Sequence, residues 1–116
     1  MRISYIELAG ERHPLCFSLS AIEEISSEWG DISGMSKAIS DESNLSAKLK
    51  AINKLLEILI AAGRRYGETV GMELPPKLKC RPGDLIDITD SDALGTIFAA
   101  ITNDAERGVE VVSKNV

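Results

Sequence analysis

The feature that most constrains this chain is an apolar stretch over residues 44–66, NLSAKLKAINKLLEILIAAGRRY. Its apolar residues recur at steps of three and four, which places them on one face of an α-helix. These residues are Leu45, Leu49, Ile52, Leu56, Leu59 and Gly63. Further apolar residues widen the stripe, so that Glu57 alone interrupts the run over residues 55–62. A helix that is apolar on most sides must be covered on most sides. We therefore predict a central helix against which the other elements pack.

A membrane span is the first alternative for this stretch. The apolar run lies between Lys54 and the Arg64-Arg65 pair, and it is much shorter than the roughly 20 residues that a span requires. The N-terminus carries Glu7 and lacks the long apolar core of a signal peptide. Cys16 and Cys80 form no CxxC pair, which is typical of unpaired thiols in a reducing compartment. We expect a cytoplasmic protein without a membrane segment.

The composition favours one α-rich domain. A chain of 116 residues can bury a core without disulfides or metal. The apolar fraction is 44%, but only 4% is aromatic, so aliphatic side chains must fill the interior. The net charge is −5, and the charged residues are unevenly distributed along the chain. Residues 48–81 carry eight basic and three acidic side chains (+5), whereas the rest of the chain carries five basic and fifteen acidic side chains (−10). Either subunits associate by charge, or the acidic elements fold onto the basic helix within one molecule.

The predicted fold class is α+β, mainly α. It comprises an N-terminal β-hairpin followed by a bundle of about four helices around the central helix. We expect a single domain over 1–116. Its parts are a hairpin (1–18), helices (20–66), a Gly/Pro loop (67–83), a C-terminal helical part (84–108) and a tail (109–116).

The boundaries of the first elements follow from local signals. An apolar β-rich run, a break at residues 9–12 and a second such run predict the hairpin. Because an isolated hairpin is marginally stable, it must pack on the helices, pair with another chain, or both. The S-x-x-E spacing of Ser20 and Glu23 predicts a capping box at the start of a helix that ends at Gly30. A second, short helix is predicted over 33–39.

The second half of the chain is more ambiguous. Either Ser43 or Asn44 is predicted to cap the central helix, which is expected to end at Gly67. The loop that follows is unusually long for a compact domain, and loops of that kind are often functional. Residues 84–88 fit either a helical turn or a short strand. An amphipathic helix is then predicted to begin at about residue 90 and to end near Gly108.

No residue pattern indicates catalysis. His13 and Cys16 lie close in sequence, but the chain has one histidine and nothing evident to orient it. The ligand clusters of metal sites and the glycine motifs of phosphate-binding loops are also missing from the sequence. We therefore predict a protein that is not an enzyme and has no catalytic residues, no cofactor and no metal.

The whole-chain pattern resembles a known family. It combines the hairpin, a helix of the SAIEEISSEWG kind, a central helix ending AAGRRYG, the loop ETVGMELPPK and a final amphipathic helix. In the order and spacing of these elements, it is similar to the small tail assembly chaperones of long-tailed bacteriophages, common in prophages of Gram-positive bacteria. The resemblance rests on the ensemble, because no single motif is specific.

The resemblance implies a mainly helical protein of the host cytoplasm, without an active site and not retained in the finished virion. Proteins of this family coat the tape-measure protein, keep its apolar helices soluble and recruit subunits of the major tail (tube) protein. Many are also made in a longer form by a programmed ribosomal frameshift. The resemblance further implies a homo-oligomer.

A chaperone for an extended helix needs apolar grooves and adaptable surfaces. The candidate partner-binding residues are Trp29, Leu55, Ile58, Leu59, Arg64, Arg65, Met72 and Leu74. The alternative interpretation is that the central-helix residues form the protein's own core and that Trp29 anchors it. The hairpin edge is a further candidate surface.

The alternative function is a small nucleic-acid-binding regulator or another prophage-encoded adaptor. A regulator would use five basic residues: Lys48, Lys50, Lys54, Arg64 and Arg65. They do not fall cleanly on one helix face, and the chain as a whole is acidic, so we expect no nucleic-acid partner.

Overall fold

The computed structural model describes residues 3–87. Strands β1 (Ile3–Leu8) and β2 (Glu11–Cys16) are followed by helices α1 (Leu19–Trp29), α2 (Ile32–Ser40) and α3 (Leu45–Val70), and by a 3₁₀ turn, Pro82–Leu85. This confirms the α+β, mainly α class, with a two-stranded antiparallel hairpin and three helices in the described part. The predicted helix over 90–108 and the tail lie outside the described residues.

The hairpin is tighter than predicted. Ala9 and Gly10 form its turn with φ values of 51° and 78°, the left-handed conformations that match the twist of the flanking strands. Glu11 and Arg12, expected in the break, belong to β2 and pair with Leu8 and Glu7.

The start of α1 corrects one prediction. Ser18, not Ser20, is the N-cap, and its side chain accepts a hydrogen bond of 3.2 Å from the backbone N–H of Ala21. The capping-box interpretation of Ser20 and Glu23 was wrong because the chain turns into the helix directly after β2. The end of α1 is as predicted, since Gly30 is the C-cap with a φ of 87°.

The next two helices have side-chain caps as well. Asp31 accepts a hydrogen bond of 2.7 Å from the N–H of Gly34, so α2 begins one residue earlier than predicted. Asn44, one of the two residues proposed to cap the central helix, accepts a hydrogen bond of 3.1 Å from the N–H of Ala47.

The end of α3 differs from the prediction. The helix continues through Gly67 to Val70, and Gly71 is its C-cap with a φ of 76°. A glycine inside a helix costs about 1 kcal/mol relative to alanine but does not end it. Leu74 folds back onto Gly67 and takes the space that a side chain would need. The irregular segment is therefore 71–81 rather than 67–83, and residues 84 and 85 belong to a helical turn.

Helix α3 organises the core. It packs against β2, α1 and α2, and the 3₁₀ turn also contacts it. Gly63 lies where α3 and β2 approach most closely, because a Cβ there would be 2.0 Å from the carbonyl oxygen of Pro14. The hairpin thus rests on the central helix, as its marginal intrinsic stability requires. Within residues 3–87, no helix is both long and apolar enough to cross a bilayer.

Candidate partner-binding groove

Three of the predicted partner-binding residues lie in the core. Leu55, Ile58 and Leu59 are 1%, 6% and 0% exposed. The middle of the apolar face of α3 is therefore covered by the chain's own hairpin and helices, whereas Leu45 and Leu49 at the start of the helix are exposed. This agrees with the alternative interpretation of these residues.

Trp29 has a different environment. Its half-buried side chain lines an open groove of about 620 Å³ between the end of α1, α2 and the first half of α3. The tight connection between α1 and α2 requires glycine at position 34, because a Cβ there would lie 2.1 Å from the carbonyl oxygen of Trp29. Small side chains extend the surface beside the indole: Ala38, Ala47 and Ala51.

Charged residues of both signs border this groove. Lys50 and Lys54 of α3 are exposed and form no ion pair within residues 3–87. Glu28 and Asp41 lie along the same groove. The side-chain and backbone hydrogen bonds from Ser43 hold the pKa of Asp41 below its usual range, so this carboxylate stays ionised. The groove can therefore pair with cationic and anionic groups at once.

Arg81 lines the groove from the segment before the 3₁₀ turn. Its Nε lies 3.2 Å from Oε1 of Glu57, and its backbone N–H donates to Asp84 over 3.1 Å. The N–H of Gly83 donates to Oδ1 of Asn53 over 2.9 Å, which fastens the turn to α3. These contacts hold Arg81 in place, although Glu57 partly neutralises its charge.

The two predicted arginines lie outside this groove. Arg64 donates from Nη1 to the carbonyl oxygen of Pro75 over 2.7 Å and lies 3.4 Å from Glu68. Arg65 forms an ion pair of 3.7 Å with Glu24 of α1. Both residues connect α3 to other segments of the same chain.

The loop residues also contact their own chain. Leu74 packs on Gly67, and the N–H of Met72 donates to the carbonyl oxygen of Gly67 over 2.8 Å. Both side chains are half-buried. The structure therefore places Trp29 in the groove and the other predicted residues elsewhere.

Sequence reasoning missed most of the groove. Its residues come from three helices and two connecting segments, so no local pattern unites them. A weak signal existed in α3, where exposed Lys50 and Lys54 alternate with the small residues Ala47 and Ala51.

The five basic residues of the nucleic-acid alternative are largely engaged with carboxylates. Lys48 pairs with Glu42, and Arg64 and Arg65 pair as described above. Of these five residues, Lys50 and Lys54 form no ion pair within residues 3–87. The positive potential of this helix is therefore lower than its lysine and arginine content indicates.

The residues considered for catalysis are buried. Burial raises the pKa of the Cys16 thiol, which disfavours the reactive thiolate. Burial and the positive charge of Arg64 lower the pKa of His13, while Glu11 opposes them weakly. Among residues 3–87, no group of three histidine, cysteine or carboxylate side chains could hold a metal ion.

We expect the free energy of unfolding to fall as the pH drops below about 6.5, the pKa of a free histidine. The folded protein lowers the pKa of His13, so the unfolded chain binds more protons over that range. The stability that depends on neutral His13 is fully present above a pH of about 6.5. It is lost as the pH falls towards the lower pKa of His13 in the folded state.

Urea unfolding of the wild type and of His13→Gln between about pH 5 and 8 measures this effect. The wild type should lose more stability towards acid than the variant. Nearby Glu57, Lys77 and Cys80 are present in both proteins, so the difference between the two curves reports on His13. Parallel pH curves would contradict the assignment.

Comparisons with protein-family models, curated proteins and solved structures found no match to this chain. The functional assignment therefore rests on the groove and on the sequence pattern.

Proposed function

We propose that this protein is a non-enzymatic tail assembly chaperone of a long-tailed phage. It binds the tape-measure protein in the host cytoplasm and helps to recruit major tail (tube) subunits. The observation that carries this proposal is the groove beside Trp29, which has an apolar surface and charged borders. Support also comes from the whole-chain resemblance of the sequence.

The groove suits an amphipathic helix. Apolar side chains of such a helix would lie on Trp29 and the neighbouring alanines, whose small size permits close approach. Its charged side chains would pair with Lys50 and Lys54 on α3 and with Glu28 and Asp41. The family resemblance names the tape-measure protein as the carrier of long apolar helices, so a helix of that protein is the partner we assign to this site.

Self-association is the second part of the proposal. Within the described residues, β1 pairs with β2 alone, while β2 packs against α3. The outer edge of β1 is therefore the edge to which a second copy would add a strand. The opposite charges of residues 48–81 and of the remaining chain would orient the subunits. A fourth helix over 90–108 belongs to this proposal on sequence grounds.

The double variant Lys50→Glu/Lys54→Glu should weaken binding of a tape-measure segment by about tenfold or more, because like charges then face the partner. The segment would come from the long coiled-coil protein that the family resemblance predicts to be encoded downstream, with affinity measured by calorimetry. The matched control is Lys37→Glu/Lys79→Glu, which makes the same charge change at exposed positions outside the groove.

Equal loss in both variants would show a general charge effect and would remove the groove from the proposal. A strictly monomeric wild type in light scattering that also fails to bind the segment would overturn the chaperone assignment itself. Salt-sensitive DNA binding lost in Lys50→Glu/Lys54→Glu would favour the nucleic-acid alternative instead.

A further inference from the structure

A second cavity, of about 180 Å³, lies between β2, the middle of α3 and residues 77–82. Its walls are mainly apolar, formed by Ile60, Ala61, Leu78 and Pro82. His13 reaches it from β2 and Arg64 from α3. It is separate from the groove beside Trp29, because the two have no lining residue in common.

One nitrogen atom on each of these two side chains makes no hydrogen bond. Nε2 of His13 and Nε of Arg64 are buried and form no hydrogen bond in the described protein. His13 is only 3% exposed. Arg64 Nε lies 3.4 Å from Glu68 without hydrogen-bond geometry, and its Nη1 is already used by Pro75. Buried polar groups are normally satisfied. Glu68 is the charged neighbour of Arg64 Nε, and both nitrogens belong to side chains that line one cavity, so a ligand in that cavity is a candidate acceptor for them.

The chemistry of that acceptor follows from the donors and walls. An arginine N–H can only donate, and Nε2 of histidine donates when it carries the proton. Lys77 adds a positive charge, whereas Glu57 is paired with Arg81. The cavity is thus a cationic site with apolar sides. Its volume of about 180 Å³ leaves room for a small ligand.

We propose that this cavity binds a carboxylate on a short aliphatic stem, whose oxygens accept hydrogen bonds from Arg64 Nε and His13 Nε2. The stem lies against Ile60, Ala61 and Leu78. The carboxylate belongs either to a free short-chain acid or to a glutamate side chain of a bound polypeptide. This inference is independent of the proposed chaperone function.

Access requires a small movement of the cavity wall. Both nitrogens are covered in the ligand-free protein. The wall over residues 77–80 has no regular secondary structure and includes exposed Lys77, Lys79 and Cys80. It is anchored at its two ends, by the Arg64 contact to Pro75 and by the Arg81 contact to Glu57. An outward shift between these anchors admits the ligand without unfolding a helix or strand.

The single histidine makes the test direct, because the NMR signal of its imidazole Hε1 proton has no counterpart from another histidine. Sodium butyrate should shift this signal saturably, with a Kd on the order of 1 mM for so small a ligand. The neutral isostere butyramide and sodium chloride at equal ionic strength should not. Binding should tighten from about pH 8 to pH 6, since a bound carboxylate favours the protonated imidazole.

The variant Arg64→Lys keeps the charge but lacks the Nε donor, so the Kd for butyrate should rise about tenfold. Arg65→Lys is the matched control, because the neighbouring arginine lies outside the cavity, and its Kd should stay at the wild-type value. If Arg64→Lys fails to fold, the wild-type comparison of butyrate with butyramide still decides the question.

The source of the carboxylate is tested with two blocked alanine peptides, one carrying a central glutamate and the other a glutamine. Binding of the glutamate peptide alone would assign the site to a polypeptide side chain, and binding of butyrate alone to a free acid. If neither the peptide nor butyrate shifts the His13 signal saturably, the cavity holds only water and the proposal is overturned.

Discussion

Replacing Gly63 by alanine is expected to lower the free energy of unfolding by about 2 kcal/mol. The added Cβ would lie 2.0 Å from the carbonyl oxygen of Pro14 and 2.5 Å from its carbon. Both are backbone atoms of β2, so the strand must move away from α3. Overpacking of this kind costs roughly 1–3 kcal/mol and sometimes more. The higher helix propensity of alanine returns at most about 1 kcal/mol.

Gly67→Ala is the matched control on the same helix. Its Cβ would lie 2.8 Å from Cδ2 of Leu74, the end of a flexible side chain that can rotate away. The gain of about 1 kcal/mol in helix propensity should then offset most of the cost. Urea unfolding followed by circular dichroism measures both variants. Equal losses of stability would contradict a special close approach between Gly63 and β2.

Leu59→Ala is expected to destabilise the protein by about 2–5 kcal/mol, the range for deleting a buried leucine side chain. Leu59 is 0% exposed and belongs to the core between α3 and the elements packed on it. A loss of that size is a large part of the roughly 5–15 kcal/mol that stabilises a small domain. Calorimetric or urea unfolding measures it.

The control for this prediction is Leu45→Ala. Leu45 lies at the start of the same helix and is 63% exposed, so its removal should change stability by less than about 0.5 kcal/mol. A Leu59→Ala variant that keeps wild-type stability yet loses partner binding would instead make Leu59 part of an interface. That result would restore the first interpretation of the apolar stripe.

The elements that the sequence predicted correctly are those with strong local signals. The apolar steps of α3, the glycine at the end of α1 and the β-rich runs of the hairpin each act within a few residues. Two boundaries were wrong for reasons that are not local. Ser18 caps α1 one residue after Phe17 has followed the end of β2, and α3 continues through Gly67, against which Leu74 packs.

The groove could not be predicted to the same degree. Trp29 was named as a candidate, but its neighbours Ala38, Lys50 and Arg81 come from segments far apart in the chain. The cavity beside His13 is likewise formed by segments far apart in the chain, because β2, α3 and the loop before the 3₁₀ turn each contribute one wall. Neither the burial of His13 nor its place beside Arg64 in the lining of one cavity has a signature in the sequence.

The sequence by itself determined the class of the fold, the order of the hairpin and three helices, and the central position of the helix around Leu56. Periodicity, caps and turn residues are properties of neighbouring residues, so the chain alone carries them. The folded chain was needed to show that Leu55, Ile58 and Leu59 are core, that Trp29 lines a groove and that His13 and Arg64 line one cavity. These outcomes depend on which distant segments cover each face, and helical spacing shows that a face is apolar without showing what lies against it.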